Sequence, residues 1–230
     1  MKHSLALIIA LSLNALSPSL FAGTVMFKTD FGPAEFKAGP LDESGPWKTN
    51  GGYPFEVKED GTAGKKVVQI LESSTEAAGP GSRAWLKTAD FTGGNKIAVE
   101  LDLRTSPSGG AGYQANVHVG NLDGAPKPVA AGEAAVVSIR AYGSVVVYDG
   151  KTEKRVANVK GDEWVHLRIE ADADSKTYSV SINGEPAATG LAFRDPSVDW
   201  IRSVGFTHYS GAEIKNPSSM AVSEIEISGF

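Results

Sequence analysis

The sequence predicts an all-β protein built as a two-sheet antiparallel β-sandwich, and three observations lead to that prediction. Apolar and polar residues alternate with a period of two through most of the chain after residue 22. Dipeptides suited to tight turns separate these segments, and no segment carries the apolar stripe of an amphipathic helix. Roughly a dozen short strands in a chain of this length are typical of two packed antiparallel sheets. We expect one such domain over residues 23–230.

The composition excludes several classes of function. The chain of 230 residues has no cysteine, which excludes a disulfide framework, a thiolate zinc site and a cysteine nucleophile. Its formal net charge of -5 argues against nucleic-acid binding, because surfaces that bind nucleic acid are basic. Hydrophobic residues make up 41% and charged residues 21%, which is the composition of a globular protein rather than a disordered one.

The first part of the chain has the pattern of a secretory signal. A short basic start at Met1, Lys2 and His3 precedes an apolar run at 5–11, and Ala22 offers a small residue for cleavage. The apolar run is shorter than the ~20 residues that a membrane-spanning helix needs. We therefore expect a signal peptide at 1–22 and a mature protein that is secreted or periplasmic. An uncleaved N-terminal anchor is the alternative.

Alternation places the individual strands. It is clearest at 96–104, where Ile97, Val99, Leu101 and Leu103 share one face and the charged residues share the other. In chain order, the predicted strands are 24–31, 53–58, 65–72, 82–88, 96–104, 113–120, 135–141, 144–148, 163–171, 177–182, 200–209 and 220–227.

Turn chemistry supports these strands. Asp60-Gly61, Asp149-Gly150 and Asn183-Gly184 are dipeptides that tolerate the positive φ of tight hairpin turns. The last of them lies between the strand at 177–182 and an extended segment at 186–189, which predicts a hairpin.

Several stretches carry a family resemblance. The chain opens with VMFKTDF at 25–31 and closes with VSEIEI at 222–227, and EWVHLRIE at 163–170 precedes YSVSING at 178–184. This resembles the concanavalin-A-like lectin/glucanase superfamily, including laminin-G-like modules. There a "W-x-h-h-x-h" strand (h apolar) precedes a "Y-x-V-x-h-N-G" hairpin, and the first and last strands pair. The resemblance implies a jelly roll. That superfamily contains lectins, carbohydrate-binding modules, glycoside hydrolases, polysaccharide lyases and adhesion domains, and fold does not select among them.

Polar residues on otherwise apolar strands give the candidate binding site. If three of the strands lie side by side on the concave sheet, their polar faces form one groove that suits a polysaccharide, since amides and charged groups bond sugar hydroxyls. Nearby Tyr142, Tyr148 or Tyr209 would cover the apolar face of a sugar ring. For Trp164 we favour packing on the sheet over sugar stacking. The predicted ligand-binding residues are Glu100, Asp102, Arg104, Gln114, Asn116, His118 and Arg140.

Two enzymatic alternatives remain open. The glucanases of the superfamily carry a Glu-x-Asp-x-(x)-Glu strand, and here Glu100 and Asp102 match but Arg104 stands at the third position. Alginate-lyase-like jelly rolls place a Gln-x-His strand beside an Arg-x-Glu-x-Arg strand and a Tyr. Asn116-Val117-His118 is similar to the first element, while Arg104 matches only the end of the second. We assign no catalytic residue.

The prediction is therefore non-catalytic recognition of an extracellular glycan. A polysaccharide-active enzyme, either glycoside hydrolase or polysaccharide lyase, is one alternative, and a protein-binding adhesion module is another. No cofactor and no metal are expected. The alternative is a calcium site at Asp30, Glu224 and Glu226, if the terminal strands pair, because calcium takes several oxygen ligands.

Overall fold

A computed structural model of the chain describes residues 23–32, 34–41, 45–51, 55–60, 65–72, 82–86, 92–105, 114–122, 131–209 and 218–230. The predicted signal peptide, residues 1–22, lies outside these residues. Most of the described part of the chain is strand, and a three-residue 3-10 turn lies at Ala141–Gly143. None of its segments forms a helix with the length and hydropathy needed to cross a bilayer.

The strands follow the alternation of the sequence. Their bounds are β1 Thr24–Thr29, β2 Gly39–Pro40, β3 Trp47–Gly51, β4 Glu56–Asp60, β5 Lys65–Glu72, β6 Ser82–Leu86, β7 Lys96–Thr105, β8 Gln114–Gly120, β9 Glu133–Arg140, β10 Ser144–Asp149, β11 Thr152–Asn158, β12 Trp164–Asp172, β13 Thr177–Ile182, β14 Glu185–Ala192, β15 Ser203–Tyr209 and β16 Ser218–Gly229.

These strands form two antiparallel sheets, which confirms the predicted β-sandwich. The large sheet has nine strands, in the order β14-β13-β12-β7-β16-β5-β4-β2, with β1 paired to β16. The small sheet has seven strands, in the order β11-β10-β9-β8-β15-β6-β3. The first and last strands pair, with Thr24 opposite Gly229 and Thr29 opposite Ile225. That pairing agrees with the expectation from the family resemblance.

The inward faces of the two sheets form one core. In β7, Ile97, Val99, Leu101 and Leu103 are fully buried, as the alternation predicts. An aromatic cluster fills one end of the core, where the ring of Trp47 lies 5.5 Å from that of Phe206 and 6.4 Å from that of Phe31. Burial of such rings is a large part of the hydrophobic stabilisation of a sandwich.

The prediction missed some strands for a physical reason. β11 reads TEKRVAN and is mostly exposed, so it has no apolar face for alternation to reveal. It lies at an edge of the small sheet, paired only to β10 among the described strands. β2 and β3 were also not predicted, and β14 extends beyond the predicted segment 186–189. The predicted hairpin is confirmed, since β13 and β14 pair antiparallel with Ile182 opposite Glu185, and the two turn residues have φ of 53° and 83°.

Candidate functional site

The structure divides the predicted site residues between the two sheets. Glu100, Asp102 and Arg104 lie on β7 in the large sheet, whereas Gln114, Asn116 and His118 lie on β8 and Arg140 on β9 in the small sheet. The prediction of one groove was therefore wrong. Alternation identifies which residues share a face of their own strand, but the chain changes sheets between β7 and β8.

The outward face of the large sheet carries the first group in ion pairs. The Arg168 guanidinium bonds the Glu100 carboxylate, and His166 Nδ1 lies 3.0 Å from Asp102 Oδ1. Arg104 Nη2 lies 2.6 Å from Asp60 Oδ2. The same arginine lies over the ring of Trp164, with 4.9 Å from its Cζ to the ring centroid. The predicted residues on this face are therefore engaged in ion pairs with neighbouring side chains.

The outward face of the small sheet brings the second group together. The register places Asn116 opposite Ser138 on β9 and opposite Thr207 on β15. Gln114 is likewise opposite Arg140 on one side and Tyr209 on the other. Polar residues at successive outward positions of three neighbouring strands thus form continuous rows across this face.

A small pocket opens on this face. Its volume is about 70 Å³. It is lined by polar residues of β8 and β15, by Tyr148 of β10, and by an arginine from the loop after β14. The lining residues are Gln114, Asn116, His118, Val136, Tyr148, Arg194, Thr207 and Tyr209.

A buried hydrogen-bond network lies beneath the pocket. His118 Nδ1 lies 2.8 Å from Glu133 Oε1, and the guanidinium of Arg194 bonds the other carboxylate oxygen. Glu133 is fully buried. A carboxylate accepts hydrogen bonds, so the geometry is that of His118 Nδ1 donating to Glu133. His118 Nε2 lies 2.9 Å from the Thr207 hydroxyl, which accepts from Asn116 Nδ2 over 2.8 Å.

A second charged group stands beside the pocket. Arg140 donates to the Glu153 carboxylate from Nη1 and Nη2, over 2.8 and 2.6 Å. The Tyr148 hydroxyl donates to the same carboxylate over 2.7 Å. These donors lower the pKa of Glu153 to about 2, since they favour its ionised form. Burial is the main cause that raises the pKa of Tyr148. Both residues therefore keep their ordinary charge at neutral pH.

Tyr148 is positioned by contacts on three sides. Arg194 lies over its ring, with 4.2 Å from Cζ to the ring centroid, which is a cation–π geometry. Glu153 accepts from its hydroxyl, and Tyr178 bonds its backbone. The tyrosine is therefore held rigidly at the pocket wall. Tyr142, another predicted aromatic, is 86% exposed and does not line the pocket.

The structure adds residues that the sequence analysis missed. Glu133, Arg194 and Thr207 complete the network, yet only Thr207 gave a signal, because it shares a face with Tyr209 on a strand that was predicted. Arg194 lies in a loop, where no periodicity marks it. Its carboxylate partner is 61 positions away in the sequence.

The residues of the alternative calcium site form no metal-binding group in the described part of the chain. The terminal strands pair as expected, but within the described residues no group of three or more His, Asp or Glu side chains has an arrangement that could hold a metal. Glu226 instead bonds Lys28 at 2.6 Å, and Asp30 accepts from the backbone N–H of Gly32 at 2.8 Å.

Comparison with known proteins identifies the fold. The sequence matches no family model and no curated protein. Solved structures do match: a sialidase with a TM-score of 0.62 and 11% identity, over 90% of this chain and 19% of the sialidase. This chain thus spans about a fifth of the sialidase.

Two other similar structures are covered along most of their length. The carbohydrate recognition domain of Emp47p has a TM-score of 0.52 and 14% identity, over 80% of this chain and 88% of that domain. The endo-β-1,4-glucuronan lyase of the fungus Trichoderma reesei has a TM-score of 0.53 and 9% identity, over 90% of this chain and 96% of the lyase. At these identities the likeness concerns the fold. The chain has a jelly-roll β-sandwich fold.

Proposed function

We propose that the protein binds an extracellular glycan, without cleaving it, at the pocket on the outward face of the small sheet. The observation that carries this proposal is the convergence of polar side chains on one pocket. Gln114, Asn116, Tyr148, Arg194 and Tyr209 all line it, and together they offer amide, guanidinium and phenol groups. Such groups bond vicinal sugar hydroxyls, which both donate and accept hydrogen bonds.

The size of the pocket defines how the sugar binds. A volume of about 70 Å³ is well below the ~300–1,000 Å³ of sites that enclose a whole ligand. The pocket therefore takes one exocyclic substituent of a sugar residue, and the ring lies across its mouth. The rigid ring of Tyr148 and the side chain of Tyr209 form part of the surface that the ring contacts.

The titratable groups around the pocket favour binding over catalysis. Both ring nitrogens of His118 already have partners, Glu133 and Thr207, so neither is free to take a proton from a substrate. Glu133 is fully buried, out of reach of a sugar. Glu153 has a pKa of about 2 and is ionised, whereas a glycosidase acid must be protonated at working pH.

The names of similar structures are consistent with a glycan partner. One is called a carbohydrate recognition domain, and another is a botulinum neurotoxin whose cell entry depends on two ganglioside molecules. The latter has a TM-score of 0.53 and 9% identity. The expected signal peptide would deliver the protein to the compartment where such glycans occur, which we propose is extracellular or periplasmic.

A polysaccharide lyase is the second candidate, and one observation favours it. His118, Tyr148 and Arg194 line the same pocket. A lyase needs a cation to neutralise a uronate carboxylate, a base to remove the C5 proton and an acid for the leaving oxygen. These three residue types could fill those roles if Thr207 released His118.

One experiment separates the two candidates. The protein is applied to an array of soluble neutral and uronic polysaccharides, and binding and new unsaturated or reducing ends are read in the same wells. We expect binding without new ends. Unsaturated ends that disappear in His118→Ala would establish the lyase. The absence of any binding would contradict both candidates and favour a protein-binding adhesion module.

A further inference from the structure

A much larger cleft lies at one end of the sandwich, away from the small-sheet pocket. Its volume is about 490 Å³, within the range of ~300–1,000 Å³ that is usual for ligand sites. It is formed where β1 and β16 pair, next to the start of β7 and the segment before β15. Among the described residues it has no lining residue in common with the small-sheet pocket.

Two aromatic side chains stand exposed in this cleft. Trp200 is 47% exposed and Phe230 is 42% exposed. By contrast, Trp47, Phe31, Phe36, Phe55 and Phe206 are all at most 2% exposed. Leaving an indole in water forgoes the stabilisation that burying it in the core would give. Exposed aromatic rings that line a cleft of this size are therefore suited to contact a ligand.

The indole of Trp200 is fixed in position. Its Nε1 donates to the backbone carbonyl of Thr92 over 3.2 Å. Gly94 and Ile201 exchange two backbone hydrogen bonds, of 2.9 and 2.8 Å, which tie together the two segments that meet here. Gly93 has a φ of +73°, and a Cβ there would lie 2.8 Å from Trp200 Nε1. The backbone therefore supports the ring without an intervening side chain.

Polar groups in the same cleft can bond hydroxyls. Lys96 Nζ lies 3.1 Å from Asp172, and an ammonium has two further N–H donors. Asn95 donates to both carboxylate oxygens of Asp174, at 3.0 and 2.9 Å, and its amide oxygen is an acceptor. One lysine beside two aspartates gives this region no surplus of positive charge. It therefore suits a neutral ligand better than a carboxylated one.

We propose that this cleft is a second carbohydrate site, which takes a neutral pyranose with its apolar C–H face against the indole of Trp200. Phe230 contacts the same sugar residue, and Lys96 and Asn95 bond its hydroxyls. Aromatic rings bind surfaces that are apolar on the face and polar at the edge, which is the character of a pyranose ring. This site goes beyond the function proposed for the small-sheet pocket and does not depend on it.

The test uses intrinsic tryptophan fluorescence of the full chain. Cellohexaose, laminarihexaose and mannohexaose are the probes, and they are titrated into wild type, Trp200→Phe and Trp200→Ala. We expect the fluorescence to change with at least one probe, and Trp200→Ala should abolish that change. The same variant should weaken the affinity measured by calorimetry about tenfold or more. Trp200→Phe should retain most of the affinity, because it keeps an aromatic face.

Gln114→Ala in the small-sheet pocket is the matched control, and circular dichroism verifies the fold of each variant. Gln114→Ala should leave the fluorescence change of Trp200 on binding unchanged, so failure of one site is distinguishable from failure of the other. No response to any probe, or equal affinity of folded Trp200→Ala and wild type, would overturn the proposal.

Discussion

The phenol of Tyr178, on β13 of the large sheet, hydrogen-bonds both backbone groups of Tyr148, on β10 of the small sheet. Its oxygen accepts from the Tyr148 N–H over 3.0 Å, and its hydroxyl donates to the Tyr148 carbonyl. The pairing of β10 with β9 ends at Val147, so Tyr178 takes over at the next residue. One buried side chain thus joins the two sheets directly behind Tyr148, which lines the small-sheet pocket.

Tyr178→Phe should destabilise the fold by about 2 kcal/mol, because it leaves the part-buried N–H and C=O of Tyr148 without these partners. Urea unfolding of the variant and wild type measures the difference. Tyr142→Phe is the control. Because Tyr142 is 86% exposed, this variant should have the same free energy of unfolding as the wild type. Equal stability of Tyr178→Phe and wild type would show that the link between the sheets contributes little.

Glu133→Ala should cost about 3–5 kcal/mol of the free energy of unfolding, because it leaves the largely buried Arg194 and His118 without their carboxylate. Glu163→Ala is the matched control. Glu163 pairs with Lys160 on the surface, where such pairs contribute at most ~1 kcal/mol. Chemical denaturation of both variants checks the contrast, and a similar loss in the two would contradict the account of the buried network.

The carboxyl of Glu153 should titrate with a pKa of about 2, below its ordinary 4.5. A depressed pKa means that this group stabilises the fold above about pH 4.5, and that the contribution is lost as the pH falls through 2. Carbon NMR of the side-chain carboxyl measures the titration directly. In Arg140→Ala, which lacks the main donor, the pKa should rise toward the ordinary value. An ordinary pKa in the wild type would contradict the hydrogen bonds from Arg140 and Tyr148 to this carboxylate.

Two glycines with positive φ should respond differently to substitution by alanine. Gly150 has a φ of +59° and open space around it, so Gly150→Ala should cost about 1–2 kcal/mol, the intrinsic penalty of this conformation. Gly143 has a φ of +74°, and a Cβ there would lie 1.7 Å from the Val159 carbonyl oxygen. Gly143→Ala should therefore cost clearly more. Thermal unfolding tests the order, and equal melting temperatures would contradict it.

The fold was predictable because its signal is local. The alternation of β7 places Ile97 and Val99 inward and Glu100 outward, and the structure agrees. The Asn183-Gly184 turn was equally plain, since both residues adopt the positive φ that the dipeptide favours. Edge strand β11 was not predicted, because its residues are mostly exposed and show no alternation of apolar and polar residues.

The site was only half predictable because its residues meet through tertiary structure. Periodicity placed Asn116 and His118 on one face of β8, as the structure has them. It could not tell that β7 joins the opposite sheet, so Glu100 was assigned to the wrong surface. Arg194 approaches from a loop to bond a carboxylate far away in the sequence, and no local pattern encodes that contact.

The most direct test of the central proposal compares two matched double variants against a polysaccharide that binds on the array. Gln114→Ala with Tyr209→Ala alters the small-sheet pocket, and Glu100→Gln with Asp102→Asn alters the large-sheet face. Calorimetric titration should show affinity reduced at least about tenfold in the first, a loss of ~1.4 kcal/mol, and unchanged in the second. The reverse order, or new chain ends released by the wild type, would contradict binding without cleavage at the small-sheet pocket.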